Sequence, residues 1–182
     1  RGVLFNGKED DLLSFRKRIK APVIETRPVP AVWVAAGNCL IGDAKKTKNS
    51  MAVTALSRYG FNQLVGYTVP SWYGKGGWGT LGLLFSNHDA SSLAEAWYLN
   101  NQFILDETMT RFPKLMDVHF NSPDINGIKD DPDFARGMNS AGYGMGKDQL
   151  GLILGRETVA FYGDPAWTAR LDESRAPSPW QI

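Results

Sequence analysis

The fold is decided by the sequence AVWVAA at residues 31–36, an apolar run that stands between Pro30 and Gly37. Six apolar residues bounded by a proline and a glycine are typical of a strand buried on both faces. Strands of this kind belong to parallel sheets that are covered by helices on each side. The run therefore predicts a central strand of an α/β domain.

A helix and a second strand are predicted to follow this run. The sequence from Met51 to near Gly60 is predicted to be helical, with Asn49 or Ser50 as its N-cap. Residues 63–70, QLVGYTVP, predict a strand that ends at its proline. The two strands and the helix fall within about 40 residues, which is the length of a βαβ unit with a right-handed crossover.

Two further segments follow the second strand. Residues 71–83 are rich in glycine and aromatic residues, and this composition predicts a flexible loop that carries large rings. A capping box between Ser92 and Glu95 then begins a helix that is predicted to continue to about Thr110.

The last part of the domain is predicted to be less regular. Residues 121–148 are polar and rich in Gly, Asp, Asn and Pro, so they predict a long loop or an insertion. Two short apolar runs occupy residues 150–161, and a turn follows in which Asp164 is the turn-forming residue. We assign residues 1–175 to one domain and residues 176–182, APSPWQI, to the end of a linker.

Composition excludes several classes of protein. The 182 residues are 43% hydrophobic and 21% charged, which excludes a disordered or fibrous chain. Twenty basic and nineteen acidic residues give a net charge of +1, without the basic excess of a nucleic-acid binder. No apolar run approaches the ~18 residues that a membrane span needs. One cysteine and two histidines argue against disulfides and the usual metal sites, so no cofactor is expected.

The one thiol, Cys39, falls directly after the first predicted strand. Open α/β sheets bind their ligands at the carboxyl ends of the strands, and a nearby helix N-terminus makes a thiol more acidic and more reactive. Gly37 and Gly42 would leave the backbone N–H of Cys39 facing a substrate carbonyl, as an oxyanion-binding amide. The alternative is that Cys39 is a small buried hydrophobic residue.

Several segments together resemble one family. Residues 35–42, AAGNCLIG, resemble the nucleophile segment of clan CD cysteine peptidases, which include caspases, legumains, clostripain and gingipains. Residues 64–70, 93–96 and 161–167 resemble, in order, the next strand, the next helix and the Leu-Gly-Asp-Pro motif of the gingipain-like group, peptidase family C25. The resemblance covers roughly residues 30–110 and 150–171.

This resemblance implies both a fold and a reaction. The fold is a caspase-like three-layer α/β sandwich, in which helices flank a mostly parallel sheet. The reaction is endopeptidase cleavage of a polypeptide by a Cys–His dyad, with Cys39 as the nucleophile and a thioester intermediate. The family is largely bacterial and exported, which implies a secreted or periplasmic protein.

The histidine of this dyad has no counterpart in the chain. In caspases it lies about 50 residues upstream of the cysteine, but no histidine stands among the 38 residues before Cys39. His88 and His119 follow Cys39, and we expect both to be exposed or structural. Because the chain opens with Arg1, we expect it to be a piece of a longer or processed protein, whose upstream segment supplies the histidine.

The resemblance also implies which residues bind substrate. The strand after the nucleophile helix lines the S1 pocket in this family, and the matching positions with the loop that follows are Tyr67, Thr68, Val69, Ser71 and Trp72. Strand alternation would instead direct Tyr67 and Val69 into the core. We expect Asp43 to cap the helix that follows the nucleophile turn.

A different class of function remains open. The chain could be a catalytically dead caspase-like domain, or a module that binds sugars or peptides on an aromatic platform. The rings available for such a platform are Trp72, Tyr73, Trp78, Trp97 and Tyr98.

Overall fold

Three strands and five α-helices form the part of the chain that a computed structural model describes, residues 31–36, 40–44, 50–70, 75–86, 92–119, 131–144 and 146–168. The elements in chain order are β1 (Ala31–Val34), α1 (Met51–Arg58), β2 (Phe61–Tyr67), α2 (Lys75–Ser86), α3 (Leu93–Arg111), a 3₁₀ helix (Pro113–Asp117), α4 (Pro132–Ala141), α5 (Lys147–Thr158) and β3 (Val159–Gly163). The α/β class that the sequence predicts is therefore confirmed.

The predicted strand–helix–strand unit is present. β1 and β2 pair in parallel, with Trp33 opposite Leu64 and Val34 opposite Val65. The helix between them begins after Ser50, whose side-chain oxygen accepts a 3.3 Å hydrogen bond from the backbone N–H of Val53. Ser50 is thus the N-cap of α1, and the capping role expected for Asp43 is not observed at this helix.

The third strand makes the described sheet mixed rather than mostly parallel. The strand order is β1-β2-β3, and β3 runs antiparallel to β2. α5 ends at Thr158 and β3 begins at the next residue. The carbonyl oxygen of Thr158 accepts a 2.8 Å hydrogen bond from the backbone N–H of Thr68, just beyond the end of β2. Since the chain enters β3 beside the carboxyl end of β2, it runs back antiparallel along that strand.

Helices cover both faces of this sheet. On one face, Leu64 packs with Ala52 and Ala55 of α1. On the other face, residues of β2 pack with Leu84 of α2 and with Leu93 and Ala96 of α3. A third cluster lies beyond the end of β2, where α4, α5 and the 3₁₀ helix bury Val69, Leu115, Val118, Phe134, Met138, Ala141, Leu150, Ile153 and Leu154.

The predicted long helix is confirmed at its start and close to its end. The Ser92 side chain accepts from the N–H of Glu95 at 3.1 Å, and the Glu95 carboxylate accepts from the N–H of Ser92 at 2.6 Å. Both bonds of the capping box are therefore made, and the helix ends at Arg111. None of the helices in the described ranges is long and apolar enough to span a membrane.

Two predicted loops contain helices. Residues 75–86 form α2, although the prediction for 71–83 was a flexible loop. Its glycines permit close packing: a Cβ at Gly77 would lie 2.5 Å from the carbonyl oxygen of Ala36, and one at Gly79 would clash with the side chain of Asn100. Residues 132–141 form α4, within the segment 121–148 that was predicted to be a loop.

Candidate functional site

The carboxyl end of β1 leads into the segment that contains Cys39. The backbone N–H of Ala35 still bonds to the carbonyl oxygen of Val65 at 2.9 Å, and Ala35 and Ala36 are both buried. Gly37, Asn38 and Cys39 lie outside the described residues. The described chain resumes at Leu40, so the residues on both sides of this segment have defined positions.

A tight turn follows Cys39 directly. The N–H of Asp43 donates a 3.1 Å hydrogen bond to the carbonyl oxygen of Leu40, which closes a four-residue turn at 40–43. Leu40 has a φ of 64°, in the left-handed region that non-glycine residues rarely adopt. Its side chain is 43% exposed, whereas Ile41 within the same turn is buried. We call residues 40–43 the post-cysteine turn.

The post-cysteine turn is held against the end of β2. The N–H of Gly42 donates a 2.9 Å hydrogen bond to the carbonyl oxygen of Tyr67. A Cβ at Gly66 would lie 2.9 Å from the nitrogen of Gly42, and a Cβ at Gly42 would clash with the carbonyl of Gly66. Only glycine at both positions lets the two backbones approach this closely.

β3 holds the same turn from its other side. The hydroxyl of Tyr162 donates a 2.6 Å hydrogen bond to the carbonyl oxygen of Gly42. The Tyr162 ring packs against the cluster that contains Ile41 and Leu64. Partial burial raises the pKa of the Tyr162 hydroxyl above its usual 10.0, and the negative charge of Asp43 raises it further. The hydroxyl is therefore protonated, and able to donate, throughout the neutral range.

The first turn of α2 contacts the chain just before Cys39. Gly77 packs on the backbone of Ala36, and its N–H donates a 3.0 Å hydrogen bond to the hydroxyl oxygen of Tyr67. The Asn100 side-chain amide donates to the carbonyl oxygen of Gly76 at 2.9 Å, which ties this turn to α3. The positive end of the α2 dipole thus lies beside the carboxyl end of β1.

The structure describes three of the five predicted substrate-binding residues. Tyr67 is 1% exposed and Val69 is 6% exposed, and both side chains lie in hydrophobic clusters. Thr68 is half-buried, and its hydroxyl donates a 3.2 Å hydrogen bond to the carbonyl oxygen of Thr158. Ser71 and Trp72 lie outside the described residues. Thr68 is therefore the one described candidate whose side chain is partly accessible at this end of the sheet.

The structure describes one of the two histidines, His119. The Nδ1 atom of His119 lies 2.9 Å from a carboxylate oxygen of Glu157, and the His119 side chain is 61% exposed. Arg156 donates to the carbonyl oxygens of Leu115 and Val118, so hydrogen bonds connect α5 to the 3₁₀ helix and to the residue that follows it. His88 lies outside the described residues. Among the residues described, no group of three His, Cys, Asp or Glu could hold a metal ion.

Sequence reasoning missed two residues that shape this site, Gly66 and Tyr162. A glycine inside an apolar strand often marks the close approach of another backbone, and Gly66 carried that signal. Tyr162 stood next to the Gly163-Asp164-Pro165 segment, which was interpreted only as a turn. That turn is confirmed, since the Asp164 carboxylate accepts a 2.9 Å hydrogen bond from the N–H of Ala166.

Of the aromatic-platform residues, three are described. Trp78 is 60% exposed and Tyr98 is 57% exposed. Trp97 is half-buried, and its ring lies 5.9 Å from that of Phe161. In comparisons of this chain with protein-family models, with curated proteins and with solved structures, no match was found.

Proposed function

We propose that this chain is the cysteine-bearing part of a cysteine endopeptidase of the gingipain-like, caspase-fold type. The observation that supports the proposal most is the fixed position of the residues on both sides of Cys39. β1 ends at Val34 and is paired with β2, the N–H of Ala35 still bonds to the carbonyl oxygen of Val65, and the post-cysteine turn is bonded to β2 and β3. This is the carboxyl end of the β1–α1–β2 unit, where α/β proteins carry their active residues.

The first turn of α2 supports the same proposal through electrostatics. A thiol is a nucleophile only as the thiolate, and the positive end of a helix dipole stabilises that anion. Gly77, in this first turn, contacts Ala36, three residues before Cys39. An unassisted thiol of pKa about 8.5 would be only a few per cent ionised at pH 7. The α2 dipole would raise that fraction.

The proposed reaction is acyl transfer in two steps. The Cys39 thiolate attacks the carbonyl carbon of the scissile peptide bond, and the backbone N–H of Cys39 stabilises the oxyanion that forms. The C–N bond then breaks, and the leaving amine takes a proton from an imidazolium. Water, deprotonated by the same imidazole, hydrolyses the thioester and restores the thiol. The products are a carboxylic acid and an amine.

In this proposal the imidazole comes from a segment outside these 182 residues. His119 already has a carboxylate partner, and it follows the 3₁₀ helix rather than β1 or β2. Thr68 is the described residue best placed to contact substrate, because it follows β2 directly at the same sheet end and is only half-buried. The caspase-like three-layer sandwich is supported by the parallel pairing of β1 with β2 and by the helices on both faces of the sheet.

The experiment is cleavage of a fluorogenic peptide library by the native protein that carries this chain. We expect Cys39→Ala to abolish cleavage, while His119→Ala leaves kcat within about twofold, because His119 is not the base. Retention of cleavage by Cys39→Ala would refute the thiol mechanism. Loss of cleavage in His119→Ala, with normal folding, would refute an external base and move that role to His119.

The second candidate is the binding module, and one observation favours it. Trp78 stands in the first turn of α2 next to Gly77 and exposes 60% of its surface, an unusual exposure for the largest apolar side chain. In this reading, Trp78→Ala abolishes retention on a glycan or peptide array, and Cys39→Ala changes nothing. The peptidase proposal predicts instead that Cys39→Ala abolishes peptide cleavage and that Trp78→Ala does not.

A further inference from the structure

The helices α2 and α3 lie side by side in antiparallel directions. The amine of Lys75 lies 3.1 Å from a carboxylate oxygen of Glu107, and a Cβ at Gly79 would clash with the side chain of Asn100. Both helices bury another side against the sheet. The line along which the two helices meet therefore passes between Gly79 and Asn100, and residues beside it on the far side from the sheet face outward.

This outward side is apolar where the two helices meet. Trp78 of α2 is 60% exposed, and the exposed Gly82 follows it one turn later. Leu99 and Phe103, one turn apart on α3, are 40% and 58% exposed. We call Trp78, Gly82, Leu99 and Phe103 the α2–α3 face. Exposed apolar residues that stand together, rather than singly, are typical of interaction sites.

Gly82 is the glycine of α2 that packing within the described residues does not explain. A Cβ at Gly76, Gly77 or Gly79 would clash with neighbouring atoms, whereas a Cβ at Gly82 would meet nothing within 4 Å. A glycine inside a helix lowers its stability relative to alanine. Close approach of a group from outside the domain gives Gly82 the same reason that the other three have.

The unpaired charge around the α2–α3 face is negative. Lys75 and Arg111 are the basic residues of the two helices, and both are paired with acidic side chains. Glu95 and Asp106 form no ion pair within the described part of the chain. They stand four residues before and seven after Leu99, on the same stripe of α3. A partner with positive charges on both sides of its apolar residues is therefore complementary to this face.

The backbone of the two helices limits the form of the partner. An extended peptide needs partners for its own N–H and C=O groups, and the backbone groups of α2 and α3 are already bonded within each helix. A helical partner satisfies its own backbone. Its apolar side chains recur at the same one-turn spacing as Trp78 with Gly82 and Leu99 with Phe103.

We propose that the α2–α3 face is a docking site for an amphipathic helix of another protein, whose apolar stripe is flanked by lysine or arginine residues. A large apolar side chain of that helix fills the space over Gly82, and its basic residues pair with Glu95 and Asp106. The site goes beyond the proposed peptidase activity, because it does not depend on the chemistry of Cys39.

The test measures binding of a fluorescein-labelled helical peptide to the native protein by fluorescence anisotropy. The peptide consists of leucine on one face and lysine on the other, and its matched control carries glutamate in place of every lysine. We expect the lysine peptide to bind at micromolar concentrations and the glutamate peptide at least about tenfold more weakly.

Four variants locate the binding site. Gly82→Gln fills the open space and favours the helix, so it should weaken binding of the lysine peptide at least about tenfold without loss of stability in urea. Phe103→Ser should weaken binding to a similar extent, and Asp106→Asn about threefold. Tyr98→Ser is the matched control, since Tyr98 is 57% exposed but lies on the side of α3 away from α2, and it should change the Kd less than about twofold.

Several results would overturn the proposal. One is the absence of binding by the lysine peptide, and another is equal affinity for the lysine and glutamate peptides. Equal losses of affinity in Tyr98→Ser and Phe103→Ser would show that the peptide binds elsewhere. Sedimentation of the natural protein as a dimer that Gly82→Gln converts to a monomer would identify the occupant as a second copy of this chain, and would also refute the proposal.

Discussion

Gly42 and Gly66 lie backbone against backbone, and a Cβ at Gly66 would be 2.9 Å from the nitrogen of Gly42. The contact joins the turn after Cys39 to the carboxyl end of β2, the central strand of the described sheet, where Gly66 pairs with Ala160 of β3. Two residues without side chains thus allow the post-cysteine turn to lie directly on β2. The same contact makes the site sensitive to the smallest possible substitution.

Gly66→Ala is therefore expected to destabilise the domain by about 1–3 kcal/mol, because the added methyl group meets backbone that cannot move aside. The measurement is the free energy of unfolding in urea. Gly82→Ala is the matched control, since a Cβ at Gly82 meets nothing within 4 Å, and alanine favours the interior of α2. Equal stability of Gly66→Ala and the natural protein would contradict the close approach.

Tyr67→Phe is expected to cost about 1–3 kcal/mol of stability although the ring remains. The N–H of Gly77 is buried and donates to the Tyr67 hydroxyl, so removal of that oxygen leaves a buried donor without its acceptor. The change is again measured by urea unfolding, with Tyr143→Phe as the control. A loss below about 0.5 kcal/mol would show that water replaces the hydroxyl and that the bond does not fix α2.

Arg156 supports the cluster beyond β2 through backbone carbonyls. Its side chain is 11% exposed and donates to the carbonyl oxygens of Leu115 at 3.1 Å and Val118 at 2.6 Å. Arg156→Met is expected to destabilise the domain by about 2–3 kcal/mol, because charge-assisted bonds are lost and two acceptors are stranded. Arg136→Met removes an ion pair with Asp133 in which the Arg136 side chain is 77% exposed. This change should alter the free energy of unfolding by about 0.5 kcal/mol or less. Similar losses of stability in Arg156→Met and Arg136→Met would refute the claim that the buried arginine stabilises the domain more than the exposed one.

The raised pKa of Tyr162 predicts a pH dependence of stability. Because the folded-state pKa lies above the unfolded value of about 10, folding favours the protonated phenol. The contribution is fully present below pH 10 and is lost as pH rises through the folded pKa. The free energy of unfolding should therefore fall more steeply above pH 10 in the natural protein than in Tyr162→Phe. Parallel curves for the two proteins would contradict the burial of the hydroxyl.

Helix starts that depend on hydrogen bonds between neighbouring residues were predictable from the local sequence. The capping box of Ser92 and Glu95 and the N-cap Ser50 are short-range hydrogen bonds, and the structure makes all of them. α4 also carried such signals, because Asp131 caps it, Pro132 occupies its first turn and Gly142 ends it with a φ of 76°. The polar composition of residues 121–148 concealed that pattern.

Long-range packing explains what the sequence alone did not predict. Glycines at 76, 77, 79 and 82 disfavour a helix in isolation by up to about 1 kcal/mol each. α2 forms nevertheless, because Gly77 and Gly79 let it approach Ala36 and Asn100 closely. The bond between Tyr162 and Gly42 joins residues 120 apart, and no pattern within either segment predicts it. The antiparallel direction of β3 likewise depends on where α5 ends, which is beside the carboxyl end of β2.

The most direct test of the account uses the fact that Cys39 is the only cysteine. Alkylation by iodoacetamide at pH 7, quantified on the peptide that contains Cys39, therefore reports on this thiol alone, and the urea-unfolded protein supplies the reference rate. An activated nucleophile at the end of β1 predicts that native Cys39 reacts about tenfold faster than unfolded Cys39, since the fold would increase its thiolate fraction. A native rate below the unfolded rate would identify a buried, inert thiol and contradict the peptidase account.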